Sequence, residues 1–244
     1  MAEAGSPTHL AGTDTTGHAT LEALAQAPRF NRWMFERLRP WTGRRIVELG
    51  SGSGNLSTFL VPLGPVLLSD PDPAHVRVLR SRWAGASSVA VERIDMTRAG
   101  DLERVLAFGP DTVVFLNVLE HVADDLGALK LLHRHVPGAC TVIALVPSGP
   151  RLFSAFDRAL GHHRRYAKGA LEETFRLAGF EVVHSEPFHK AGRLPWFIQM
   201  TLGGARSLPA LELRLYDRAV PLLRVLDRLL PGPGLSTIVV ARKP

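Results

Sequence analysis

Val47-Glu48-Leu49-Gly50-Ser51-Gly52-Ser53-Gly54 sets three glycines at alternate positions, directly after a short apolar run and directly before a segment that opens as a helix. Glycine lets a backbone turn sharply and approach a ligand closely, and the unpaired N–H groups of a following helix N-terminus attract a polar or anionic group. Asp70 ends the next apolar run, about twenty residues on, where a carboxylate can accept hydrogen bonds from both hydroxyls of a ribose. Asp72, just before Pro73, is better suited to capping a helix, which leaves Asp70 for the ligand. The pattern Gly50-x-Gly52-x-Gly54 is tighter than the G-x-G-x-x-G of nicotinamide dinucleotide turns and disfavours that cofactor.

Two histidine groups can move protons near neutral pH, because an unperturbed imidazole titrates at about 6.5. His121 follows Asn117-Val118-Leu119-Glu120 at the end of a fourth apolar run, and reads either as a catalytic or substrate contact or as a structural hydrogen bond that shapes its loop. His162 and His163 precede Arg164, Arg165 and Tyr166 in a basic stretch. Those arginines can fix an anionic group through bidentate hydrogen bonds, or pair with Asp157 and Glu172. His189 and Trp196 bracket an aromatic segment that suits an apolar acceptor or a dimer interface. No histidine and carboxylate cluster has metal-ligand spacing, so no metal is expected.

The elements that must position these residues follow from the apolar periodicity. Short apolar runs at 45–49, 65–69, 88–91, 111–117 and 139–146 alternate with helical patterns at 55–63, 74–83, 102–108 and 124–135. This alternation predicts an α/β fold whose parallel sheet carries helices on both faces. A leading helix is expected over 21–38, a helix over 169–178, strands over 180–185 and 236–241, and a largely helical segment over 192–230 broken near Pro209. Residues 1–20 read as a flexible leader and 21–244 as one domain, with a cap loop at 148–168 and a helical insertion or lid at 190–232.

The segment from Glu48 to Gly54 resembles the first motif of class I S-adenosylmethionine-dependent methyltransferases. Phe30-Asn31-Arg32-Trp33, Asn117 to His121, Gly161 to Tyr166, Ala178-Gly179-Phe180 and Pro233 to Ser236 resemble one bacterial subgroup of these enzymes, across roughly residues 25 to 244. The resemblance implies a Rossmann-like sheet of seven strands with an antiparallel last strand, and S-adenosylmethionine as cofactor. It implies that Glu48, Gly50, Ser51 and Gly52 meet the methionine part, Asp70 and Pro71 the ribose, and Asp95 and Met96 the adenine. Asn31, Asn117 and Val118 complete the cofactor contacts; His121, His162 and Tyr166 are the catalytic candidates, and Arg165, His189 and Trp196 the substrate-binding ones.

Composition narrows the partners. The chain has 244 residues, 45% of them hydrophobic, a net charge of +6 and a single cysteine, Cys140, which excludes a disulfide framework. Its basic residues are dispersed and lack interleaved aromatics, which argues against nucleic acid. The expectation is a cytoplasmic monomer or homodimer that methylates an O, N or C nucleophile of a small apolar or aromatic metabolite in biosynthesis. A lipid-linked or glycan acceptor is the alternative, which the arginine-bearing apolar stretch 211–230 would suit, although membrane-surface contact is not the leading expectation. A S-adenosylmethionine-binding regulator without methyl transfer is the rival from another class.

Overall fold

The computed structural model describes residue 22 and residues 25–205 and 210–244, so the expected leader at 1–20 and the break near Pro209 lie outside the described residues. The apolar runs form seven strands: β1 (Ile46–Leu49), β2 (Val66–Asp70), β3 (Val89–Arg93), β4 (Thr112–Leu116), β5 (Thr141–Pro147), β6 (Glu181–Phe188) and β7 (Ser236–Arg242). They assemble in the order β3-β2-β1-β4-β5-β7-β6, with β7 antiparallel to both neighbours and every other pairing parallel. β1, β2 and β5 are buried along their whole length, as strands covered on both faces must be. β6, at the sheet edge, alternates exposed and half-buried residues until Phe188.

Helices cover both faces. On one side α1 (Pro28–Leu38), the short α2 (Ser57–Leu60) and α3 (Pro73–Arg82) set Trp33, Leu38, Leu60 and Leu79 against Ile46, Leu68 and Val114. On the other, α4 (Ala99–Phe108) and α5 (Asp125–His135) bring Leu102, Val105, Leu129 and Leu132 onto Val47, Val113 and Phe115. Local chemistry sets their ends: Asp72 accepts from the Ala74 N–H, with Pro73 in the first turn, and Asp124 accepts from Gly127. The helix expected over 55–63 is shorter, because Pro62 lacks an N–H and the chain tightens into a 3₁₀ turn over Val61–Leu63.

The cap contains a 3₁₀ turn at Pro150–Leu152 and α6 (Ala155–Ala159), whose start is a reciprocal capping box between Ser154 and Asp157. α7 (Ala170–Leu177) packs Leu171 and Phe175 onto the same face as α5. The insertion before β7 holds α8 (Arg193–Trp196), a π-helical stretch (Phe197–Leu202) and α9 (Ala210–Leu229). Chain order runs one way from β1 through β2 and β3, and the other way through β4 and β5. In such sheets ligands bind in the crevice beyond the strands' carboxyl ends, where the order reverses.

Phe115 is fully buried on β4 and stacks on Phe175 of α7 at 6.3 Å between ring centres. Phe115→Ala is expected to lower unfolding stability by about 3–5 kcal/mol, through lost burial and the cavity left behind, as read by urea denaturation.

Candidate active site

The glycine turn sits at that reversal. Gly50, Gly52 and Gly54 all adopt left-handed φ values, 72°, 54° and 82°. A Cβ on Gly50 would lie 2.5 Å from the Val118 methyl, and one on Gly54 would strike the Trp83 ring, so these positions need glycine for space as well as for angle. Asp70, buried at the end of β2, accepts from the Gly52 N–H at 2.9 Å and the Asp72 N–H at 2.9 Å, and faces His75 Nδ1 at 3.1 Å. Ser51 is tied across the same gap, its N–H donating to the Ser69 carbonyl at 2.8 Å.

Glu48 lies buried beneath the turn and accepts from the Ser57 hydroxyl. Burial pushes its carboxyl up to about 7 against the pull of the Ser57 and Ser51 hydrogen bonds, with the nearby Asp70 charge adding to the rise. Beyond β2, the Pro71 carbonyl accepts from Arg93. Asp95 accepts from the N–H and hydroxyl of Thr97, in a turn where Met96 is buried. Asn117 leaves β4 with φ 54°, a left-handed angle that asparagine tolerates, and its N–H donates to the Leu145 carbonyl at 2.8 Å. Val118 then packs against Gly50, so the β1 turn and the β4 loop are in direct contact. Asn31 is buried on α1.

The cap closes on the β4 loop. The His163 N–H donates to the Glu120 carbonyl at 2.7 Å, while Tyr166 and Gly149 bond across the end of β5. His121 and His162, 41 positions apart in sequence, meet edge to face with ring centres 4.6 Å apart. Beneath them the fully buried Asp157 accepts from Arg165 Nε at 2.8 Å and from the Ser154 N–H and hydroxyl, both at 2.8 Å, and pairs with His162 Nδ1 at 3.1 Å. Burial alone would raise the Asp157 carboxyl, but the His162 bond, the Arg165 charge and the Ser154 bonds together bring it down to about 2.

Arg165 is itself buried, and its guanidinium lies 4.5 Å from the Trp196 ring centre, so the insertion is pinned to the cap by a cation over an aromatic face. The Tyr166 hydroxyl donates to Asp125 at 2.6 Å, and its phenol is pushed well above the usual range by burial and by that bond. His189 stands apart, buried among Phe30, Trp33 and Phe188, with Nε2 2.6 Å from the Tyr216 hydroxyl. Burial pushes its imidazole down to about 4, which keeps it neutral.

Sequence reasoning named neither Glu120 nor Asp157 as a site residue. Asp157 carried a readable signal, the Ser-x-x-Asp spacing of a capping box. Glu120 carried none: it is fully buried, and among the described residues neither of its carboxylate oxygens has a hydrogen-bond partner. Burial pushes its carboxyl up to about 8.

A glycine cradle that a Cβ would fill, a buried carboxylate at the next strand end and a polar loop at the reversal suit a nucleoside cofactor with a short zwitterionic arm. Residues 23–185 match the methyltransferase domain family. The chain belongs to that family. One curated relative, a ubiquinone biosynthesis O-methyltransferase from Azorhizobium caulinodans, is 38% identical over 90 residues, which is 36% of this chain and 34% of the relative. The chain spans less than half the length of the curated relatives it matches.

Among solved structures, phosphoethanolamine N-methyltransferase 2 of Haemonchus contortus, in complex with S-adenosylmethionine, superposes with a TM-score of 0.61 at 17% identity, over 95% of this chain and 59% of that one. The [4+2]-cyclase SpnF shares the fold too, with a TM-score of 0.57 at 15% identity over 89% and 81% of the two chains. The fold is the Rossmann-like class I methyltransferase fold, and the family's cofactor is S-adenosylmethionine.

Glu48 holds its proton more tightly in the folded protein than in the unfolded chain. Its stabilising contribution is therefore complete below the ordinary value of 4.5 and is lost as pH rises through about 7. Glu48→Gln, which keeps an acceptor for Ser57, removes this loss. The melting temperature of the wild type is expected to fall relative to the variant across that window, by an amount on the order of 3 kcal/mol in stability, as read by scanning calorimetry at several pH values.

Proposed function

We propose that this protein transfers the methyl group of S-adenosylmethionine to a nucleophile of a small apolar or aromatic metabolite, with an oxygen acceptor as the leading case. The observation that carries this reading is the contact between the Asp70-pinned glycine turn and the loop after Asn117, the loop that also carries His121, whose ring meets His162. The name of the curated relative, an O-methyltransferase, supports oxygen.

Bound S-adenosylmethionine supplies a methyl group already activated by its sulfonium, so the protein's work is placement and water exclusion, worth up to roughly 7–11 kcal/mol in well-oriented reactions. Asp70 and Pro71 would hold the ribose, Asp95 and Met96 the adenine, and Glu48, Gly50, Ser51 and Gly52 the methionine arm, with Asn31, Asn117 and Val118 closing around it. His121 would take the proton of an acceptor hydroxyl placed in line with the transferred methyl group. His162 and Tyr166 orient the cap, Arg165 and Trp196 wall the acceptor, and His189 acts by holding Tyr216 and the aromatic cluster behind it.

A lipid-linked acceptor is favoured by one further observation. Leu215, Leu222, Val225 and Leu229 of α9 are exposed, with Val225 lining a groove together with Arg29, Arg32, Arg224 and Arg228, and Leu194, Ile198 and Leu202 of the insertion are exposed as well. Apolar side chains flanked by arginine suit an anionic bilayer surface. Among the described residues no helix is long and apolar enough to cross a membrane.

Calorimetric titration tests the central reading. S-adenosylmethionine is expected to bind with micromolar affinity, about −8 kcal/mol, and NADH not at all; Asp70→Ala is expected to weaken binding at least tenfold. A folded protein that ignores S-adenosylmethionine sinks the proposal. Co-sedimentation with vesicles containing anionic lipid, but not with neutral ones, selects the lipid-linked acceptor, and transfer of labelled methyl separates an enzyme from a binding protein that does no chemistry.

A further inference from the structure

We propose that Glu120, His121 and His162 form a binding site for one divalent transition metal of the zinc class, steadied by Asp157. Each of the three offers one ligand atom, and these atoms all lie within 4.8 Å of one another. Donors around zinc sit about 2.0–2.2 Å from the ion, so small rotations of side chains would close the set. Two imidazoles and one carboxylate are a sufficient set of protein ligands for a zinc site that keeps its fourth position open.

The surroundings point the same way. The Glu120 side chain is wholly buried, yet neither carboxylate oxygen accepts a hydrogen bond among the described residues. A buried carboxyl without a hydrogen-bond partner either keeps its proton or ionises against a cation, and a bound metal ion would supply that cation. The nearby guanidinium does not fill that role by hydrogen bonding, because Arg165 directs Nε to Asp157 and its Nη1 has no partner.

His162 carries the signature of an oriented ligand. Its Nδ1 is engaged by Asp157, whose other oxygen is occupied by Ser154, and this leaves Nε2 for a metal. A histidine whose second nitrogen is bonded to a carboxylate is the usual outer arrangement around protein-bound metals; it sets the tautomer and makes the ligating nitrogen more basic. The His163 N–H on the Glu120 carbonyl fixes the cap at this height, so ligands 41 residues apart in sequence stay in register.

His121 is the exposed member, so the open position would be reached from its side. A mixed nitrogen and oxygen set suits zinc, cobalt or nickel, whereas magnesium asks for oxygen donors in an octahedron. Metal binding stands without the methyl-transfer reading. Its consequence rests on that reading and replaces His121 as the proton acceptor: with His121 held as a ligand, an acceptor oxygen at the open position would lose its proton more readily, and the proton would pass to solvent as the methyl arrives.

The test uses the full chain stripped of metal with a chelator and no added S-adenosylmethionine. Zn²⁺ calorimetry and Co²⁺ visible absorption are expected to show one saturable equivalent and the absorption of a four- or five-coordinate cobalt centre. His121→Ala and Glu120→Gln should each weaken Zn²⁺ binding at least tenfold with circular dichroism unchanged, and Asp157→Asn by roughly 10- to 100-fold. His121 is exposed, so its variant reads binding even if a buried substitution fails to fold. No saturable binding to the wild type, unchanged affinity in His121→Ala, or full competition by Mg²⁺ overturns the proposal. A parallel S-adenosylmethionine titration keeps the two readings apart: cofactor binding without metal binding overturns this site alone, and metal binding without cofactor binding leaves it standing.

Discussion

The hydrogen bond from the Gly52 N–H to the Asp70 carboxylate is the constraint on which the cofactor end of the crevice is built. It ties the turn after β1 to the end of β2, and it does so with a buried charge that also takes the Asp72 N–H. With the turn held this way, Gly50 comes against Val118, and the loops of β1 and β4 meet. The left-handed angles at Gly50, Gly52 and Gly54 exist to make that approach without a Cβ.

A second buried carboxylate organises the opposite wall. Asp157 gathers Ser154, His162 and Arg165, and Arg165 in turn lies against Trp196. A removed partner would leave the remaining charges desolvated and unpaired, which makes such a hub an all-or-none device. The cap and the insertion are therefore mechanically linked: Trp196 also packs on Phe156 and bonds to the Leu152 carbonyl. His162 inherits its position from this hub, and His121 meets its ring edge to face.

The periphery obeys a different rule. α9 keeps Val220 in the core while several of its leucines and valines face solvent beside arginines. That pattern departs from a helix serving only the core, which would carry polar residues on its outer face.

Much of this was legible in the linear chain. The seven strands are encoded by runs of apolar residues, whose periodicity reports burial directly. The glycine turn, Asp70 and the capping role of Asp72 depend on neighbours within a few residues or on one strand end, so their chemistry is local. The helix expected over 55–63 shortened at Pro62 for a reason equally local. What only the tertiary structure decided are the meetings across long separations: His121 with His162, Arg165 with Asp157 and Trp196, and His189 with Tyr216. Their side chains hold no periodic or short-range signal. Burial then changed their character, since removal from water left His189 neutral and Glu120 short of a partner. Sequence determined which elements form and where they turn; packing decided which distant polar groups face one another and are cut off from water, because desolvation is a property of the assembled fold alone.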